Sequence, residues 1–175
     1  MKIIGGVLVL TEVISERVGS VRNSIEKIIK VIEESDEATL YIKPSEEEWS
    51  GMQIISHVLE AVDFWLSDLE ALLIVPGAKW GRNHEHARRL AAVDEDVVSK
   101  LKKEEVIVEL KKIPQRVEKS LANVSDDDLE KTAPSYNAKF DGKPLSFLID
   151  HLIVQHVEGH YGQLVRHLEK VNSLN

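Results

Sequence analysis

Seven histidines and no cysteine stand in this chain of 175 residues. Any metal it holds is bound by nitrogen and oxygen ligands, and disulfides, thiolate sites and cysteine nucleophiles are excluded. His156 and His160 lie four positions apart in the run His156-Val157-Glu158-Gly159-His160-Tyr161-Gly162-Gln163. On a helix that spacing puts both imidazoles on one face, one turn apart, where they can share one metal ion. At about 100° per residue, Leu148, Ile149, Leu152, Ile153, Val157 and Leu164 mark an apolar arc. His156, His160, Gln163 and His167 project into the middle of that arc. A polar seam on the buried side of a helix is unfavourable unless something satisfies it.

The pair is not a zincin motif, because Val157 and Gly159 occupy the positions where those motifs carry their glutamate. His57, on the flank of an earlier helix, is the candidate third ligand. Three histidines from two helices would make an open site with positions left for water or substrate. Gln163, able to donate and accept, is the candidate group that orients a ligand from behind. The residues by themselves leave a second reading open, in which core histidines bond to one another, to Gln163 and to buried water. His167, about 10 Å along the axis from His160, reads as a cavity wall or bundle-end residue. His84 and His86 read as solvated loop residues, and His151 as pointing outward.

Four long helical stretches must position these groups. In the first, Ile14, Val18, Val21, Ile25, Ile28 and Ile32 recur at spacings of four and three. The second runs from about Gly51 to Val75, with Ser50 as N-cap and Gln53 as its capping-box partner, and stops at Pro76-Gly77. Between Lys79 and Lys103 the pattern weakens to short pieces at Ala87 to Val93 and Asp96 to Leu101. Trp80 in this stretch is a candidate roof for any cavity. The third helix spans about Lys103 to Asn123, with Pro114 expected to kink it or delay its start. Ser125 to Asp128 is a capping-rich turn, and Tyr136 to Pro144 a short hairpin or folded loop around Asp141-Gly142. The fourth runs from about Pro144 to Val171. The expected architecture is all-α, a single four-helix bundle domain over residues 1–175 with a decorated crossover between helices two and three.

Thirty acidic against 22 basic residues give a formal net charge of −8, which argues against nonspecific nucleic-acid binding. Met1 to Leu10 is apolar but too short for a membrane span and lacks a cleavage site. The expectation is a cytoplasmic protein with no nucleic-acid or membrane partner, its first residues an extended arm or the lead into a helix.

Trp49-Ser50 leading into a helix with His57, then a terminal helix with His156-x-x-x-His160-x-Gly162-Gln163, resembles the DinB-like superfamily of small metalloproteins. The resemblance covers nearly the whole chain. It implies an up-down-down-up order with a long connection between helices two and three. It implies a divalent metal ion on His57, His156 and His160, with zinc or nickel first and iron or manganese as alternatives. It also implies a small-molecule substrate, a homodimer, and a metal-dependent activity. The activity would be either a thiol-dependent S-transferase using a low-molecular-weight thiol or a hydrolase. The alternative is a non-catalytic metal-binding or interaction module of the same fold.

Overall fold

The computed structural model describes residues 2–4 and 7–174, and it is mostly helical. Met1, Gly5 and Gly6, part of the expected N-terminal arm, lie outside the described residues. Strands β1 (Lys2–Ile4) and β2 (Val7–Val9) pair antiparallel ahead of the first helix. Helix α1 (Glu12–Glu34) starts where the Thr11 side chain accepts from the Ile14 N–H, and its isoleucine and valine stripe is buried as the spacing requires. A short helix α2 (Glu37–Tyr41), with Leu40 buried, comes next. The Tyr41 hydroxyl donates to the Leu101 carbonyl and ties this turn to the later crossover.

Helix α3 (Gly51–Ile74) begins in the expected capping box. Ser50 Oγ accepts from Gln53 N–H at 3.2 Å, and Gln53 Oε1 accepts from Ser50 N–H at 2.8 Å. The remaining Gln53 amide donates to the Val93 carbonyl at 2.6 Å, so one side chain closes the helix and pins the crossover. That crossover contains α4 (Ala87–Ala92) and α5 (Glu95–Val98). Helix α6 (Lys103–Leu121) carries Pro114 in its interior, so the proline does not delay its start. Helix α7 (Asp126–Leu129) is a single turn with a Ser125–Asp128 capping box.

The four long helices enclose the core: α1 packs on α6 and on the final helix, and α3 packs on the same two. Lys103, at the start of α6, donates to the carbonyls of Glu33 and Ser35 at the end of α1, while Arg22 meets Glu118 at 3.2 Å. On the neighbouring face Asp63 of α3 meets Arg116 at 2.5 Å and Glu70 accepts from Ser120 at 2.5 Å. Residues such as Val21, Ile32, Leu66, Leu69, Leu110 and Val157 are buried between them. Each such aliphatic side chain contributes about 1.5–3 kcal/mol relative to an exposed one.

Residues 132–144 are a folded loop rather than a hairpin. Isolated bridges join Trp80 to Ser135 and Thr132 to Pro144, and Ser135 Oγ donates to the Trp80 carbonyl at 2.8 Å. Asp68 of α3 accepts from the N–H of Gly81, which has a φ of 84°. A side chain at Gly81 would be strained there and would also meet Ser135 Oγ at 2.7 Å. Trp80 stacks on Phe140, and both meet Trp65 edge-on, forming an aromatic roof.

The expected fourth helix is continuous but not uniform. One α turn, α8 (Leu145–Phe147), leads into a π-helical segment, Leu148–Val154, and then α9 (Gln155–Ser173). A π turn inserts an extra residue into the helical register, a device frequent at functional sites. Leu148, Ile149, Leu152 and Ile153 remain buried through it. Asp150 accepts from Arg17 of α1 at 2.5 and 2.8 Å, a two-point pair that anchors the wide turn.

Candidate metal centre

Two helices meet to build the site. The capped start of α3 holds His57, which is 4% exposed. It lies deeper than the helix-flank position expected from its place beside the apolar stripe. The first turns of α9, directly after the π segment, hold His156 and His160. His156 Nε2 lies 3.2 Å from His57 Nε2 and 2.9 Å from His160 Nε2. One donor atom from each histidine falls within 4.8 Å of the others, so the cluster could hold a metal ion. Ligands at about 2.05 Å from a tetrahedral ion would stand about 3.3 Å apart, close to this spacing.

The electrostatics match that geometry. Burial, then repulsion by the neighbouring imidazoles, pushes His57 down to about 2, and burial then His160 push His156 down to about 3. Burial also lowers His160, opposed by its hydrogen bond to Gln163. All three rings are therefore neutral at pH 7, the state a metal requires. His160 Nδ1 stands 2.8 Å from Gln163 Oε1. An Nδ1–H donated to that oxygen leaves the Nε2 lone pair facing the cluster. Three Nε2 atoms crowded together cannot all be satisfied by sharing protons, and His57 Nδ1 is buried without a partner. The donor set fits a divalent ion.

Trp49 walls the cluster, its ring 5.2 Å edge-on from His57 and 6.5 Å in a stack from His160. A cavity of about 390 Å³ opens over the cluster, lined by all three histidines, Trp49 and Trp65, and by the polar groups of the two long loops. A second cavity of about 450 Å³ lies on the other side, lined by Trp49, His160, Gln163, Arg166 and His167 among others.

Of the remaining histidines only His86 departs from expectation, and the other three gain a place in the cavities. His167 is buried and accepts from the Gly51 N–H at 3.0 Å, so it is both cavity wall and tie between α9 and the start of α3. His86 is not a solvated loop residue: it stands at the N-cap position of α4 without a side-chain capping bond, half-buried with its ring 5.2 Å from Phe64. His84 is exposed yet lines the cavity over the cluster. His151 is exposed, as expected, but it also lines that cavity, with Nδ1 3.0 Å from Gln155 Oε1.

Sequence reasoning did not find the cationic and amide groups of this cavity. Arg82, Arg89, Asn83, Asn137 and Lys139 line it. Arg82 is buried in a two-point pair with Glu60 at 2.6 and 2.7 Å, and its guanidinium lies 4.1 Å from the Phe64 ring centre. Asn137 donates to the Arg82 carbonyl at 3.1 Å and locks one loop to the other. No helical spacing links these positions. The one available signal was their placement in the two segments where the periodic pattern fails.

The chain matches the DinB superfamily over residues 21–164. It belongs to that family. No curated protein and no solved structure matches it. In this member of the DinB superfamily the matched span includes α3, the crossover, the π segment and all three clustered histidines. Among the described residues no helix is long and apolar enough to cross a membrane.

Proposed function

We propose that this chain is a metal-dependent enzyme of the DinB superfamily, acting on a small molecule as a thiol-dependent S-transferase or as a hydrolase. The observation that carries the reading is the convergence of three neutral Nε2 atoms, 2.9 and 3.2 Å apart along the cluster, at the floor of an open cavity. On this reading His57, His156 and His160 hold a divalent ion, zinc or nickel first and iron or manganese as alternatives. Bound there, such an ion lowers the pKa of a coordinated thiol or water and supplies a nucleophile near neutral pH. Gln163 fixes the His160 ring, Trp49 covers one side of the cluster, and Trp65 and Phe140 give the cavity an apolar wall.

The same reading takes residues 1–175 as one domain and the four long helices as an up-down-down-up bundle. The side-chain pairings support that order, since late α1 meets early α6, while Asp63 and Glu70 of α3 meet Arg116 and Ser120 in the same sequence.

The test is equilibrium metal analysis of protein purified without a histidine tag. We expect one divalent ion per chain, lost in His156→Ala. Absence of stoichiometric metal, or a metal content that His156→Ala leaves unchanged, refutes the proposal. Titrating the cobalt-substituted protein with low-molecular-weight thiols separates the two activities. A shifted d–d spectrum favours the S-transferase, and an unchanged one removes it.

A further inference from the structure

The cavity over the three histidines is cationic in a protein of net charge −8. Arg82, Arg89 and Lys139 line it, and no aspartate or glutamate does. Arg82 is neutralised from behind by Glu60. Arg89 is not. Its guanidinium donates to the His84 carbonyl at 2.9 Å and lies 5.3 Å from the Trp49 ring centre, with no carboxylate in ion-pair range among the described residues. Arg17, Arg22, Arg88 and Arg116 all have such a partner, as Arg82 does. Among the described residues the other arginine without one is Arg166, which lines the second cavity, across Trp49 and His160.

A half-buried guanidinium without a counter-ion is unfavourable in the absence of a ligand, and burial accordingly lowers the Arg89 pKa. Trp49 stacks beneath the guanidinium and the His84 carbonyl takes one donor, so the side chain is held in place. A guanidinium has five N–H donors in a planar fork that suits two oxygens at once. Asn83 and Asn137 beside it can donate further, and Lys139 stands at the exposed rim. Three neutral histidines bring no negative charge, so an ion bound by them would add to the positive field instead of cancelling it. A cleft of one sign with low-dielectric walls concentrates ligands of the opposite sign.

We propose that the substrate or co-substrate of this site is a small oxyanion-bearing molecule, with Arg89 gripping its carboxylate or phosphate beside the histidine cluster and Lys139 drawing it in from the rim. The proposal rests on the reading of this cavity as the active site, and it adds the class of molecule that enters. Trp49, shared by the guanidinium and the cluster, then sets the distance between the anchored anion and the reacting end. A cavity of about 390 Å³ suits a compact metabolite-sized molecule.

The test is calorimetric titration of the zinc-loaded and of the metal-free protein with paired probes. The pairs are acetate with acetamide, 3-phenylpropanoate with its amide, and inorganic phosphate with trimethyl phosphate. We expect the anion of at least one pair to bind about tenfold or more tightly than its neutral partner, in both forms of the protein. Whether the carboxylates or phosphate show the larger ratio decides between those two sources of the anion. Arg89→Gln is expected to bring the ratio close to one, and Lys139→Gln to reduce it two- to threefold. If Arg89→Gln does not fold, Arg89→Lys decides, with a reduced but measurable preference expected. No anion preference in any pair overturns the proposal, as does a preference that Arg89 substitution leaves intact. A preference confined to the zinc-loaded protein and insensitive to Arg89 places the anion on the ion and also overturns it. A protein that binds no zinc but keeps an Arg89-dependent anion preference would refute the metal reading alone.

Discussion

Gln163 and Gly51 show how single residues set the geometry of the cluster from its edge. The contact of Gln163 with His160 Nδ1 fixes which nitrogen faces the centre. Replacing such a partner typically lowers metal affinity 10- to 100-fold. Gln163→Leu should therefore retain the metal stoichiometry of the parent while weakening zinc binding by about that factor in a chelator competition. Gly51 is a point of close approach between α3 and α9, its N–H donating to the His167 ring. A Cβ there would lie 3.2 Å from the His167 ring and 3.2 Å from the Leu40 carbonyl. Backbone cannot retreat as a flexible side chain can, so Gly51→Ala should destabilise the fold by about 1–3 kcal/mol, read by chemical denaturation.

At the scale of elements, caps and one wide turn do the positioning. The Ser125–Asp128 box illustrates the pH dependence. Lys131 and Ser125 hold the Asp128 carboxylate down to about 2, below its value of about 3.9 in an unfolded chain. Its contribution is thus fully present above pH 4 and is lost as the pH falls through 2. Asp128→Asn should cost about 1 kcal/mol at pH 7, and the difference from the parent should vanish near pH 2 in urea melts. The π segment offers a sharper test. Inserting one alanine between Val154 and Gln155, where α geometry resumes, adds a residue that the wide turn does not hold and rotates α9 by about 100° relative to α8. The expected outcome is retained helicity by circular dichroism with loss of stoichiometric metal. Retained metal would show that the cluster does not depend on this register.

For the molecule as a whole, metal binding and folding are linked, because the cluster joins α3 to α9 and exists only when both are packed. A ligand at 100 times its dissociation constant stabilises the folded state by about 2.7 kcal/mol. For a chain of this size that corresponds to about 5–11 °C in melting temperature. Zinc should raise the melting temperature of the parent within that range and leave His57→Ala unmoved. A parent whose melting temperature ignores zinc would count against a bound ion.

Local and periodic features were legible along the chain. The stripes of α1, α3 and α6, the Ser50–Gln53 box and the His156–His160 spacing obey short-range rules, since residues within four positions share a helix face whatever surrounds them. From them came the helical class, the three histidines and the family. Other features depended on partners far along the chain. The seven-residue π segment reads as ordinary amphipathic helix, and only the pairing of Asp150 with Arg17, 133 positions away, marks where the turn widens. His86 looked solvated because periodicity says nothing about which loop folds over which helix. Arg89 has no distinguishing neighbour in sequence. Its meaning lies in a carboxylate that the tertiary structure does not bring to it, beside a cluster that the tertiary structure does assemble. Sequence alone determined which residues can ligate, because that is a property of their chemistry and their helix. The folded chain decided what surrounds them, because charge and burial are sums over the whole molecule.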